Sequence, residues 1–144
     1  ILNLLPRTDF DFVNIATGAS KTVRIWLAQN IDASQYREAI LAARIHAANV
    51  QGTGTSPSMA LDLVPVAPTN EDPAPGAGAG FFRDSSKLTL TMYSATPVAT
   101  PALKTSAMSG PFYGLLSLQM TVTQWGTTCS FHTFTISVDL NLKS

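Results

Sequence analysis

The segment HTFTISVDLNLK, residues 132 to 143, alternates strictly between apolar and polar side chains. His132, Phe134, Ile136, Val138, Leu140 and Leu142 fall on one side, and Thr133, Thr135, Ser137, Asp139 and Asn141 on the other. Successive side chains of a strand point to opposite faces, so this pattern predicts a long strand with one face in a core and one outside. It excludes a helix, whose apolar stripe would recur every three to four residues.

The same logic predicts more strands upstream. GLLSLQMTVTQW (114 to 125) turns Leu116, Leu118, Met120 and Val122 inward, and Ser117, Gln119, Thr121 and Thr123 outward. The short link GTTCS then suggests that these last two strands form a long antiparallel hairpin. KLTLTMY places Leu88, Leu90 and Met92 inside, TVRIWLA places Val23, Ile25 and Leu27, and MALDLV places Met59, Leu61 and Leu63. FDFVNI, 10 to 15, reads as a further strand, ended by the turn residues ATGAS.

Residues 34 to 50, SQYREAILAARIHAANV, pull two ways. Their Ala, Leu, Glu and Arg content favours a helix. As a strand they set Leu41, Ala43, Ile45 and Ala47 on one face, with Arg44 and His46 on the other. Every other element alternates at period two, and context overrides propensity, so a strand is expected here. Six to eight strands without a strand–helix–strand rhythm predict an all-β, single-domain antiparallel two-sheet β-sandwich over 1 to 144. Its long strands and generous loops suggest a jelly roll.

Several stretches lack any such pattern: 1 to 9, 51 to 58, 67 to 82 and 95 to 111. The third, APTNEDPAPGAGAGFF, holds three prolines and three glycines and reads as a Pro/Gly-rich crossover loop. Phe81 and Phe82 would anchor its far end. The apolar start ILNLLP, with Leu4 and Leu5, reads as an extended N-terminal arm over 1 to 9 able to lie on a neighbour. The chain starts at Ile1, which suggests a removed leader or the beginning of an ordered part.

Charge narrows the function. Only 12% of the 144 residues are charged, and nine basic residues balance nine acidic ones. The basic residues are scattered singly, whereas a nucleic-acid backbone requires them clustered. A surface poor in charge repels its own copies weakly and tends to associate. No apolar run approaches the 18 residues of a membrane helix.

Catalytic constellations are missing from the sequence. The two histidines, His46 and His132, belong to no metal-ligand spacing, and His132 reads as a hydrogen-bonded core histidine. Cys129 is alone, which rules out a disulfide within the chain. Asp9 and Asp11 share one face of the first strand, and Asn70, Glu71 and Asp72 cluster in the long loop. Both groups read as solvated turns or edges rather than Ca²⁺ sites. GAGAG at 76 to 80 lacks the Lys-Ser/Thr of a phosphate-binding loop. No cofactor, metal or catalytic residue is therefore expected.

Aromatic residues carry the remaining signal. Trp26, Tyr93 and Trp125 fall on the polar faces of their strands, where large apolar area is costly to leave in water. With Phe81, Phe82, Leu4 and Leu5 they are the expected interface or ligand contacts. The expected function is a non-enzymatic structural subunit that self-assembles or decorates a larger particle, of capsid, decoration or fibre type. Its partners would be copies of itself or other subunits, in an extracellular or virion-associated setting. The alternative is a carbohydrate-binding sandwich using Trp125 as a stacking platform.

Overall fold

A computed structural model describes residues 1–13, 20–51, 58–66, 87–93, 102–112, 114–125 and 131–144. Among these residues eight strands are present: β1 (Leu2–Val13), β2 (Ser20–Asp32), β3 (Glu38–Gln51), β4 (Ser58–Val66), β5 (Leu88–Tyr93), β6 (Ala102–Ser109), β7 (Leu115–Trp125) and β8 (Phe131–Lys143). They form two four-stranded sheets, sheet A in the order β1-β8-β3-β6 and sheet B in the order β2-β7-β4-β5. All pairings are antiparallel. The fold is an all-β, two-sheet sandwich, as the alternation requires. Among the described residues no helix is long and apolar enough to cross a membrane.

The pairing is nested. β1 pairs with β8, β2 with β7, β3 with β6 and β4 with β5, as if one long ribbon had been folded back on itself and rolled up. Two further contacts, β3 with β8 and β4 with β7, complete the sheets. This corrects the expected β7–β8 hairpin: the two strands are consecutive in sequence but lie in different sheets. Their alternation fixes which side chains face the core, and facing across the core satisfies it as well as lying side by side.

The core fills the space between the sheets. From sheet A come Ala39, Leu41, Ala43 and Ile45 of β3 and Phe134, Ile136, Val138 and Leu140 of β8. From sheet B come Met59, Leu61 and Leu63 of β4, Leu90 and Met92 of β5, and Leu116, Leu118, Met120 and Val122 of β7. Each fully buried side chain of Leu or Ile size stabilises the fold by about 1.5–3 kcal/mol relative to exposure. Such a total explains why β3 is a strand despite its helical composition: as a helix it would leave β8 without its neighbour on that side.

Bulges modify the alternation. In β3 the register slips between Ile45 and Ala47, so His46 is the extra residue. Beyond it Ala48 packs against the core and Ala47 is exposed, the reverse of the sequence expectation for Ala47. A bulge inserts one residue and inverts every face beyond it. β2 bulges twice, and within the second irregularity Asn30 adopts φ 58°, a left-handed conformation that asparagine tolerates. Its N–H donates to Ser117 Oγ at 3.2 Å. Ser117 and Gln119 turn away from the core as expected, yet both are buried.

Two stretches read as unstructured are strands. β1 takes in residues 2 to 9, so that segment is an edge of sheet A rather than a free arm, and the strand expected at 10 to 15 starts much earlier. β6 lies inside the expected loop 95 to 111. Its half-buried positions are Ala102, Lys104, Ser106 and Met108, and its exposed ones Leu103, Thr105, Ala107 and Ser109. Neither set is consistently apolar, so no alternation betrays it.

The turns are tied by short polar contacts. Asp32 Oδ1 accepts from both the N–H and the O–H of Ser34, which holds its carboxyl below the ordinary aspartate value. Arg37 N–H donates to Lys143 O at 2.8 Å, and Gly110 N–H donates to Arg37 O at 2.5 Å. A Cβ at Gly110 would stand 2.8 Å from Phe112 N and 3.2 Å from Arg37 Cα and O, so only glycine fits between β6 and β7 there.

Candidate functional site

Among the described residues, the expected contacts lie on separate strands. Leu4 and Leu5 lie on β1, half-buried against the core; the register slips between Asn3 and Leu5 and again between Leu5 and Thr8. Trp26 lies on β2, half-buried opposite Gln119. Trp125 ends β7, paired with Ser20. From Ser20 to Trp26 is six residues along the same ladder, so the two tryptophan positions are roughly 20 Å apart. Phe81, Phe82 and the loop 67 to 82 lie outside the described residues, as do Cys129 and the cluster Asn70, Glu71 and Asp72.

Tyr93 is a correction. It was expected to face outward, but it is only 3% exposed and belongs to the core. The cause is a bulge: Met59 pairs with Tyr93 and Ala60 with Thr91, leaving Met92 as the extra residue of β5. Tyr93 is thereby turned inward, where its hydroxyl hydrogen-bonds His132 Nε2. The His132 ring is fully buried and meets Tyr93 edge-on at 5.5 Å and Phe134 at 5.1 Å. Phe12 stacks on Phe134 at 5.7 Å, and Phe10 does so at 5.3 Å. Burial pushes the imidazole down to about 4, so it is neutral at physiological pH. Its Nδ1 is buried with no hydrogen-bond partner among the described residues. The group is a closed aromatic knot inside the sandwich.

Polar chemistry gathers instead on the outward side of sheet A. Pairing across β1, β8 and β3 sets Asp11, Thr133 and Asn49 in one row and Asp9, Thr135 and Ala47 in the next. These residues line an open groove of about 310 Å³. Thr135 donates to Asp9 Oδ1 at 2.5 Å. The bulge at His46 makes the groove, because it turns Ala47 outward and a methyl group leaves space between its larger neighbours. His46 Nε2 reaches Ser137 Oγ at 2.9 Å beside it. Asp9 and Asp11 share this face as expected from the sequence; Asn49 was hidden by the unforeseen bulge. Among the described residues no three His, Cys, Asp or Glu side chains converge as a bound metal would require.

On sheet B, Asp62 is nearly buried and takes its partners from the β5 side. Lys87 Nζ lies 3.2 Å from Oδ2, and Thr89 donates to Oδ1 at 2.6 Å. Both carboxylate oxygens are thus engaged, and this pair ties β4 to its edge strand.

No known protein family matches this sequence, and no curated protein matches it either. Among solved structures, a chain from the "Structure of infectious bursal disease virus Gx strain" has a similar fold, with a TM-score of 0.50 and 15% sequence identity. The similarity covers 96% of this chain and 30% of that one. At such low identity the likeness concerns the fold alone.

Proposed function

We propose that this chain is a non-enzymatic structural subunit, a jelly-roll domain that self-assembles or decorates a larger particle of capsid, decoration or fibre type. The observation that carries the reading is the nested strand order, with β1-β8-β3-β6 facing β2-β7-β4-β5. Eight strands in two such sheets are the jelly-roll arrangement found in viral capsid and lectin domains. The resemblance to a chain of a virus structure supports the capsid side of that pair. So does the surface: charged residues are few and cancel, which leaves little electrostatic resistance to packing copies together.

Copies of this chain or other subunits are the proposed partners, and the surroundings of a virion or the extracellular space the proposed setting. Trp26, Trp125, Leu4, Leu5, Phe81 and Phe82 remain proposed contacts. Light scattering and electron microscopy on purified protein test the reading. The expected outcome is a concentration-dependent rise in mass ending in closed particles, rings or filaments. A strictly monomeric species at high concentration, indifferent to added partners, refutes self-assembly. Deleting 74 to 79 is expected to harm assembly more than folding.

The groove favours a second reading, a glycan-binding module. Asp9, Asp11, Asn49 and two threonines offer acceptors and donors suited to sugar hydroxyls. In that case Asn49→Ala abolishes glycan binding with the fold intact, and a blank glycan array removes the idea.

A further inference from the structure

Each sheet of an open sandwich has two edge strands, and an unprotected edge invites pairing with another chain. The four edges here are treated unequally. β1 carries Pro6 and two register shifts, β2 carries two register shifts, and β5 is six residues long with a shift near its end. β6 pairs with β3 through eight consecutive residues without a shift, from Ala102 opposite Ile45 to Ser109 opposite Glu38. It holds no proline, and every second residue directs its N–H and C=O to an edge that no described strand covers. Leu103 on this strand is 57% exposed, among the described residues the most exposed large apolar side chain apart from Ile1.

We propose that β6 is the joint between two copies of this chain, pairing antiparallel with the partner's β6 so that two copies of sheet A become one eight-stranded sheet. The inference rests on the assembly reading and specifies its interface. A two-fold axis perpendicular to the sheet keeps each face continuous, so it passes through a residue position rather than between two. Centring on Lys104 sets two ammonium groups opposite each other. Centring on Ser106 sets Met108 against Lys104 and exposed Leu103 against Ser109. Centring on Thr105 sets Leu103 against Ala107 and Ala102 against Met108, each twice, with Thr105 against its own copy. Of these three registers only the last seats Leu103 against an apolar side chain and a hydroxyl against a hydroxyl, pairs that stabilise adjacent strands, with Lys104 facing Ser106. Leu103 then loses part of its exposure, along the side that meets the partner strand.

The test uses the whole chain. Leu103→Lys with Ala107→Lys places like charges opposite each other in both symmetric pairs, and both side chains are exposed in the single copy. This variant should keep its melting temperature and associate about tenfold more weakly by sedimentation equilibrium. Leu103→Lys with Ala107→Glu should restore association, because each lysine then meets a glutamate. In a Cys129→Ser background, Thr105→Cys should cross-link to its copy on oxidation, whereas Ala107→Cys, facing Leu103, should not. Equal cross-linking by both, or charge variants that associate like the parent, overturns the β6 joint while leaving assembly through another surface intact. A parent chain that never associates overturns both.

Discussion

His132 shows how much one residue can set the conditions a protein withstands. Folded, its imidazole titrates at about 4; released into solvent it returns to the ordinary 6.5. Above pH 6.5 both forms are neutral and the fold keeps its full stability. As pH falls from 6.5 towards 4 the unfolded chain takes up a proton that the folded chain refuses, and stability drops. The whole loss is on the order of 3 kcal/mol at 1.36 kcal/mol per unit. Below 4 this residue adds nothing more. His132→Gln should flatten that part of a denaturation curve measured against pH; an unchanged slope would assign acid sensitivity to other groups. Tyr93→Phe strands His132 Nε2 and should cost about 1–3 kcal/mol at neutral pH in urea unfolding.

The bond between Tyr93 and His132 joins sheet B to sheet A, so a residue-scale contact fixes how elements sit. At that next scale, Gly110 holds the passage from β6 to β7 against Arg37 at the entrance to β3. Gly110→Ala forces backbone apart and should destabilise by about 1–3 kcal/mol in thermal or urea melts. A neutral result would mean the connection yields without disturbing β3. Elements were also where the sequence was most and least legible. Alternation in β4, β7 and β8 named their core residues, because period two is a property of the strand itself. Bulges escaped it: no local signal marks His46 or Met92 as the extra residue, and so Ala47, Asn49 and Tyr93 were given the wrong surroundings or none. Partner choice escaped it too, since the β7–β8 neighbours in sequence belong to opposite sheets. β6 was hidden because an edge strand covering little core can carry Lys and Ser inward. The groove was half legible, through Asp9 and Asp11, and its β3 wall was not.

For the whole molecule, scarcity of charge becomes a statement about forces between copies. Opposite charges cancel and the basic residues are dispersed, so screening by salt has little long-range field to remove. Association is expected to vary little between low and high ionic strength and to strengthen with warming near room temperature, as burial of apolar area does. Sedimentation across a salt series checks this; a steep salt dependence would point to charged contacts such as Asp9 and Asp11 with Arg44 of another copy. The nesting has one more consequence. Leu2 stands beside Leu140, with neighbouring strands about 5 Å apart, so any chain attached ahead of β1 or behind β8 leaves from a single corner. A unit with its entrance and exit at one corner can be spliced into a surface loop of a host protein without prising the host apart.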